Sequence, residues 1–453
     1  MRTSAPVERP VTLTIAGSDA GGGAGIQADL KTMEGLGTFG TSAITNVTAQ
    51  NTRGVESTHP VPVPEIEAQI DAVLTDFDVR AVKTGMLGTR RVVETVAEYA
   101  ADLEIPVVVD PVMVAASGDR LLEPDAEAAY DRLIENATVV TPNADEAGVI
   151  TGIEPEDATT AEEAASRIVD LGANAALVKG GHVPGDSVTD VLVTSSSVRE
   201  FVHPRIDTDA THGSGCTLSS AIAARLARGD TVADAVGFGV EFMQRAVRYP
   251  LDVGEGPGAV HHLVTIRNRG ARDATRESVE DVVDALVEQN ATRLVPEVGL
   301  NVVGATPYAE SADETAAVEG RITRTNRGIR PNRGVRFGAS SHVARFLLAA
   351  REHDPALRFA ANVRFDEAVE TALDSVDPVV EIDRSNEPRP DEEASTMGWA
   401  AGRAFEQSGE TPVAVFDRGD VGKEPMTRLL APDAATLTDR METLLAALQS
   451  AGD

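Results

Sequence analysis

The chain has 453 residues, 42% of them hydrophobic and 25% charged, which marks it as globular and too long for one ordinary domain. Its 72 acidic against 40 basic side chains give a formal net charge of −32, which excludes gripping nucleic acid or an anionic membrane as its main task. A single cysteine excludes an intrachain disulfide framework and a cysteine zinc cluster.

The opening MRTSAPVERP has no apolar core of a secretory signal, and no run of about 18 apolar residues follows, so a cytoplasmic protein without a membrane span is expected. Short apolar runs then alternate with amphipathic stretches, the pattern of a parallel α/β sheet. Strands are expected over 11–16, 42–48, 79–82, 106–109, 138–140 and 175–178, with helices over 66–77, 90–101 and 162–171 between them. A hairpin over 188–194 and 198–202 and helices over 216–227 and 232–249 complete this block. Residues 250–258 carry Pro250, Gly254, Gly256, Pro257 and Gly258, which break any helix, and an arginine-rich polar stretch follows (Arg267, Arg269, Arg272). The boundary is placed there, and a new amphipathic helix is expected from Thr275 with Val279, Val282, Val283, Leu286 and Val287 on one face. Further strands and helices run from there to the end, with no long-period repeat.

Lysine is scarce. Only Lys31, Lys83, Lys179 and Lys423 occur, and all other basic residues are arginine. Many carboxylates with few lysines resemble a salt-adapted composition, in which high salt screens the self-repulsion. The plainer reading is an acidic protein from a GC-rich genome.

Four strings of the first block carry chemistry. Residues 15–25 read IAGSDAGGGAG, a strand turning through glycines into a helix, where backbone can approach a ligand and the helix start favours an anion or polar ring. The spacing fits neither a Walker A loop nor a dinucleotide fingerprint. Residues 211–218 read THGSGCTL and open a helix, leaving the N–H groups of Gly213 to Cys216 as a cradle for charge on a transferring phosphoryl group. Cys216 falls in the first turn, where the dipole lowers a thiol pKa; a capped core helix with a buried cysteine fits the string equally well. TPNADE (141–146) offers an amide and a carboxylate suited to Mg²⁺ through water, and VKGGH (178–182) a cation with two glycines. Each alone is ordinary loop punctuation; together they fall at strand C-termini, where open α/β sheets bind ligands.

In order, GSDAGGGAGIQADLKT, TAQNTRGV, VKTGMLG, DPVM, TPNADEA, VKGGH and HGSGCTLSSAIAA resemble the ribokinase-fold hydroxymethylpyrimidine and hydroxymethylpyrimidine-phosphate kinases, over residues 10–262. The resemblance implies a three-layer α/β/α domain with a mainly parallel sheet, ATP and Mg²⁺ as cofactors, and two successive phosphorylations of the pyrimidine. It implies Gln50, Ala24, Met86, Val112 and Asp29 on the pyrimidine side, Asn143 and Lys179 at the nucleotide, and Glu146 with Asn143 at Mg²⁺ through water. Gly213, Gly215 and Cys216 would form the catalytic anion hole. Many ribokinase-fold sugar kinases have an aspartate where this chain has Cys216, which leaves the general base open. Such kinases also often carry a lysine in the loop that here reads VGEGPGAVHH with Glu255, so His261 and His262 are read as a structural domain end.

In the second block, no acidic residue lies between Glu319 and Glu352, while Arg321, Arg324, Arg327, Arg330, Arg333, Arg336, Arg345 and Arg351 do. The functional reading is a basic pocket for an anion such as pyrophosphate; the plainer reading is a solvated loop, and it suits most of these arginines better. The string 335–350 (VRFGASSHVARFLLAA) leaves a strand and enters a helix, with Ser340 or Ser341 as a cap and His342 in the first turn. Later loops supply Asn362, Arg364, Arg384, Glu387 and Lys423. LNVVGATPYAE, VEGRITR, FGASSHVARFLLAA, FAANVRF and VGKEPM resemble the archaeal ThiN-type thiamine-phosphate synthases over residues 275–453. That implies a smaller α/β domain joining pyrimidine diphosphate to thiazole phosphate with release of pyrophosphate, and Arg321 and His342 as its essential residues. The rival is a non-catalytic module that senses thiamine phosphates. The two resemblances fit each other, because the kinase product is the synthase substrate. The layout expected is a kinase over 1–265, a linker over 266–274 and a synthase over 275–453, haloarchaeal in composition. The partners are then small molecules, without nucleic acid or membrane, and a homo-oligomer is compatible with the sequence.

Overall fold

A computed structural model describes residues 6–113, 122, 126, 129–384, 393–420 and 423–450. Contacts divide the chain into two compact units, Met1–Ile266 and Arg267–Asp453.

In the first unit the elements in chain order are β1 (Val11–Ser18), α1 (Gly25–Gly35), β2 (Phe39–Asn51), β3 (Gly54–Pro60), α2 (Val63–Asp76), β4 (Val79–Thr84), α3 (Arg90–Asp102) and β5 (Val107–Val109). There follow α4 (Tyr130–Ile134), β6 (Val139–Val140), α5 (Ala144–Thr151), α6 (Ala158–Asp170), β7 (Ala175–Val178), β8 (Ser187–Thr194), β9 (Val198–Pro204), α7 (Ser214–Ala227) and α8 (Val232–Arg248). They build a nine-stranded sheet in the order β3-β2-β1-β4-β5-β6-β7-β8-β9. The six strands from β2 to β7 run parallel, with antiparallel partners at both ends. Side-chain alternation explains why both faces need helices. Val107 and Val109 point into one core with the α3, α4 and α6 residues, while Val108 between them joins the opposite core with Leu218, Ile222, Val236 and Val240 of α7 and α8. Three layers follow from that alternation.

The second unit begins within a short helix, α9 (Val264–Gly270), that spans the boundary, and continues with α10 (Arg272–Glu288). The stretch expected as a linker is therefore helical, and the amphipathic helix starts three residues earlier than its apolar face announces. Then come β10 (Asn301–Ala305), β11 (Thr315–Val318), β12 (Ile322–Thr325), β13 (Gly328–Pro331), β14 (Val335–Phe337), α11 (His342–His353), β15 (Phe359–Arg364) and α12 (Glu367–Leu373). The last elements are β16 (Val379–Glu381), α13 (Glu393–Ser408), β17 (Ala414–Asp417), β18 (Met426–Ala431) and α14 (Ala434–Ser450). Seven strands form a sheet ordered β14-β11-β10-β15-β18-β17-β16, antiparallel except for the β16–β17 pair. Val302 faces a core with Val279, Val282 and Leu286 of α10, and Val303 faces the other with Phe346 and Leu347 of α11. Among the described residues no helix is long and apolar enough to cross a membrane.

Candidate functional site

The site is built where two glycine-rich loops lock together. The first follows β1. Asp19 folds it by accepting the backbone N–H groups of Gly21 at 2.8 Å, Gly23 at 2.9 Å and Ala24 at 2.7 Å. The second precedes α7. Gly213 there has φ +80°, and a Cβ on it would stand 1.9 Å from Gly23 O, so only glycine fits. His212 crosses the first loop, its Cδ2 2.5 Å from where a Cβ on Gly23 would be, and its Nε2 lies 3.1 Å from Asp19 Oδ2. Burial works to raise the Asp19 pKa, but the His212 and backbone hydrogen bonds outweigh it and hold the carboxyl below its ordinary value. From below, the buried His262 donates from Nε2 to Gly23 O at 3.0 Å. Burial lowers the His262 pKa to about 4, so the ring is neutral and carries its proton on that nitrogen.

These loops open onto a cavity of about 780 Å³ in the first unit. Its wall includes Ala24, Gln50, Met86 and Val112, then Asn143, Glu146 and Lys179, and also Gly213, Gly215 and Cys216. Residues from seven separate strings thus meet in one place, at the C-terminal ends of β1, β4, β5, β6 and β7, where an open parallel sheet leaves a crevice. Asp29 does not join them. It is fully buried beneath the wall, where Thr14 Oγ1 at 2.6 Å, Ser220 Oγ at 2.7 Å and Lys83 Nζ at 2.9 and 3.0 Å take up its carboxylate. The expectation that it contacts the pyrimidine is corrected: its oxygens tie α1, β1, β4 and α7 together. Burial works to lower the Lys83 pKa, and Asp29, with Cys216 and Asp110 adding to it, more than reverses that.

The electrostatic centre of the cavity is a residue that the sequence reading passed over. Asp110, 1% exposed, accepts Ser219 Oγ at 3.3 Å and Thr141 Oγ1 at 3.4 Å, and pairs with Lys179 Nζ at 3.4 Å. Glu146 Oε2 lies 3.9 Å from the same ammonium. Burial works to lower the Lys179 pKa, but Asp110 and Glu146 hold it above its ordinary value, while burial pushes the Glu146 carboxyl well above the usual carboxylate range. The signal for Asp110 was present, since it opens the DPVM string, but only folding brings it to Lys179, 69 positions away. Asn143 and Glu146 form a capping box on α5, each side chain accepting the other's backbone N–H at 2.8 Å. The same N-x-x-E spacing that suggested a cation site is therefore also a helix start. Among the described residues no three His, Cys, Asp or Glu side chains converge to bind a metal directly. Two buried carboxylates beside a lysine suit a cation that arrives with phosphate ligands and is held through water.

Cys216 lies in the first turn of α7, half-buried, as the string indicates. Its thiol is not activated: burial pushes its pKa up to about 11, with Lys83 opposing and Asp29 and Asp110 adding to the rise. The expected lowering by the helix start is corrected, because desolvation outweighs it.

In the second unit Arg321 has a left-handed backbone, φ +68°, and donates from Nη1 to Val298 O. Glu424 accepts Glu297 N at 2.6 Å and Val298 N at 3.1 Å, and Asn362 donates to Gly299 O at 3.1 Å. Arg321, Asn362 and Glu424, from three of the strings singled out above, thus converge on residues 297–299. His342 opens α11 and bonds its neighbour Ser341 through Nδ1 at 3.1 Å; no hydrogen bond or ion pair among the described residues joins it to Arg321. Ser341 is the N-cap residue, yet its hydroxyl goes to that ring rather than to a backbone N–H. Several arginines of the run take separate partners. Arg324 donates to Val295 O, Arg333 and Arg336 pair with Glu319 at 3.4 and 3.5 Å, and the buried Arg351 clamps Leu357 O at 2.6 Å and Pro307 O at 2.7 Å. Arg364 pairs with Asp366 and Arg384 with Asp417, while Glu387 lies outside the described residues.

A mainly parallel three-layer sheet with an anion cradle at a helix start and a lysine–carboxylate cluster beside it defines a small-molecule kinase of the ribokinase-like class. The model of the family "Phosphomethylpyrimidine kinase" matches residues 19–261, and that of "Thiamine-phosphate synthase ThiN" matches residues 278–443. The chain belongs to the phosphomethylpyrimidine kinase family and carries a ThiN thiamine-phosphate synthase domain behind the kinase; it is an enzyme of thiamine biosynthesis. It is 48% identical over 258 residues to the hydroxymethylpyrimidine/phosphomethylpyrimidine kinase of Streptomyces coelicolor, covering 57% of this chain and 96% of that one. It is 46% identical over 266 residues to the thiamine biosynthesis bifunctional protein ThiED of Geobacter sulfurreducens, covering 57% of this chain and 54% of the other. Among solved structures, the ADP complex of Bacillus subtilis pyridoxal kinase superposes with a TM-score of 0.54 at 34% identity, over 57% of this chain and 99% of that one.

Proposed function

We propose that residues 1–265 transfer phosphoryl groups from ATP, with Mg²⁺, first to 4-amino-5-hydroxymethyl-2-methylpyrimidine and then to its monophosphate. Residues 275–453 then join the diphosphate to 4-methyl-5-(2-phosphoethyl)thiazole, giving thiamine phosphate and pyrophosphate. The observation that carries the reading is the single cavity in which Gln50, Lys179 and Gly213–Cys216 share a wall. Gln50 pairs with the aminopyrimidine edge, and Ala24, Met86 and Val112 pack on the ring. Lys179 and the N–H groups from Gly213 to Cys216 neutralise charge that develops on the transferring group. Mg²⁺, when bound with the nucleotide, supplies further charge neutralisation, and Glu146, Asp110 and Asn143 are the residues to hold it through water. Arg321 and His342 serve the pyrophosphate of the synthase step. The acidic, lysine-poor composition supports a haloarchaeal, salt-adapted, cytoplasmic enzyme.

The test mixes purified protein with both heterocycles and ATP·Mg²⁺ and follows products. Thiamine phosphate is expected; accumulation of pyrimidine diphosphate alone would make the second domain a sensor. Arg321→Ala removes a charge-assisted contact to the leaving pyrophosphate and is expected to slow the synthase by about 2 kcal/mol, roughly 30-fold, with the kinase steps intact. His342→Ala is expected to follow it. Cys216→Ala is expected to slow the kinase steps and spare synthesis from supplied diphosphate. Parent synthase rates in both second-domain variants would remove those residues from the site.

A further inference from the structure

An alcohol that attacks a phosphoryl group must lose a proton, and the cavity wall holds few groups free to take it. Asp110 and Glu146 face the Lys179 ammonium at 3.4 and 3.9 Å. Cys216 is held protonated at neutral pH, its pKa near 11 through burial. His182 and His203 also line the cavity, against Asp145 and Asp190, but they belong to the turn after β7 and to β9, whereas His212 adjoins the glycine loop before α7. Its Nε2 faces Asp19 Oδ2 at 3.1 Å, and Asp19 already accepts three backbone N–H groups, so it is fixed as an acceptor and the proton of the neutral ring belongs on Nε2. The other nitrogen, Nδ1, has no hydrogen-bond partner among the described residues, and the side chain, 17% exposed, lines the cavity. His212 directly precedes Gly213, where the anion cradle begins, and it packs on Gly23, next to Ala24 on the pyrimidine side.

We infer that His212, oriented by Asp19, is the general base of the first phosphorylation. The hydroxymethyl oxygen forms a bond to the γ-phosphorus, the bond from that phosphorus to the β,γ-bridging oxygen breaks, and ADP leaves with the electron pair. The hydroxyl proton passes to Nδ1 and then to solvent, while the Asp19 carboxylate stabilises the imidazolium in between. The second phosphorylation needs no such base, because its nucleophile is a phosphate already ionised near neutral pH. This assignment rests on the proposed kinase reading of the cavity.

His212→Gln keeps an amide donor toward Asp19 and loses the basic nitrogen. In the full-length chain, each phosphorylation is started from its own substrate. The expected result is a fall of about 100-fold in kcat for the alcohol, with the rate on the monophosphate kept within about threefold of the parent. An equal fall in both steps would make His212 a link between loops, not a base, and no fall in either would remove it from the chemistry. If the variant loses the ATP-induced rise in melting temperature, the decision passes to His212→Ala with added imidazole. Restoration of the alcohol step alone supports the assignment, and restoration of neither step, or of both alike, overturns it. A parent enzyme that phosphorylates neither pyrimidine would instead defeat the kinase reading itself.

Discussion

Gln50 lines the cavity from the end of β2, and its Oε1 lies 3.3 Å from Thr48 Oγ1. On the proposed reading, Gln50→Leu leaves the polar edge of an aminopyrimidine unpaired in the cavity, which costs about 1–3 kcal/mol. Calorimetric titration is expected to show weakened pyrimidine binding with ATP binding nearly unchanged; equal weakening of both would assign Gln50 to the fold. His262 makes a pH prediction. Its folded pKa, about 4, lies below the ordinary 6.5 because burial disfavours the charged ring. Between those values the unfolded chain binds a proton that the folded one does not, so this residue's contribution to stability is full above pH 6.5 and falls as pH falls. The loss reaches up to about 3 kcal/mol near pH 4. His262→Gln keeps a donor for Gly23 O and removes the titration, so its melting temperature is expected to drop less than the parent's between pH 7 and 4.5. Parallel curves would show that His262 does not titrate in that window.

At the scale of elements, the two glycine loops act as one part. Gly213→Ala must strain a φ of +80° and drive a methyl group into Gly23 O. It is expected to cost about 1–3 kcal/mol in folding and to abolish most kinase activity while synthesis from supplied diphosphate continues. Thermal melts and the two product assays check both halves of that expectation. The strands read well from sequence where both faces are buried: 107–109 and 175–178 are short apolar runs because every side chain meets a core. β3 was missed because most of its side chains are exposed and it has no apolar alternation to detect. The β12–β13 hairpin was hidden in the same way, by threonines and arginines around two buried isoleucines, Ile322 and Ile329. The kinase site was legible as strings because each string ends a strand or opens a helix. The His212–Asp19 contact was not, since 193 positions separate its members and neither the glycine loop nor the helix start names its partner.

For the whole molecule, charge sets the conditions. With a net charge of −32, lowering KCl from about 1 M to about 0.1 M lengthens the Debye length from roughly 3 Å to roughly 10 Å and strengthens self-repulsion. The melting temperature is expected to fall along that dilution series, and a flat series would remove the salt-adapted reading. The same composition turns lysine into a reporter. The chain's four ε-amines occupy four different settings. Lys31 is exposed and braces Gly22 O at 2.7 Å, Lys423 is exposed on a second-domain loop, Lys179 is 15% exposed on the cavity wall, and Lys83 is sealed at 0%. An amine-reactive footprint read by peptide mass therefore has almost no background. If nucleotide fills the cavity as proposed, labelling at Lys179 is expected to fall with its occupancy, labelling at Lys423 follows the second domain in the same spectrum, and any label on Lys83 records that the kinase unit has opened.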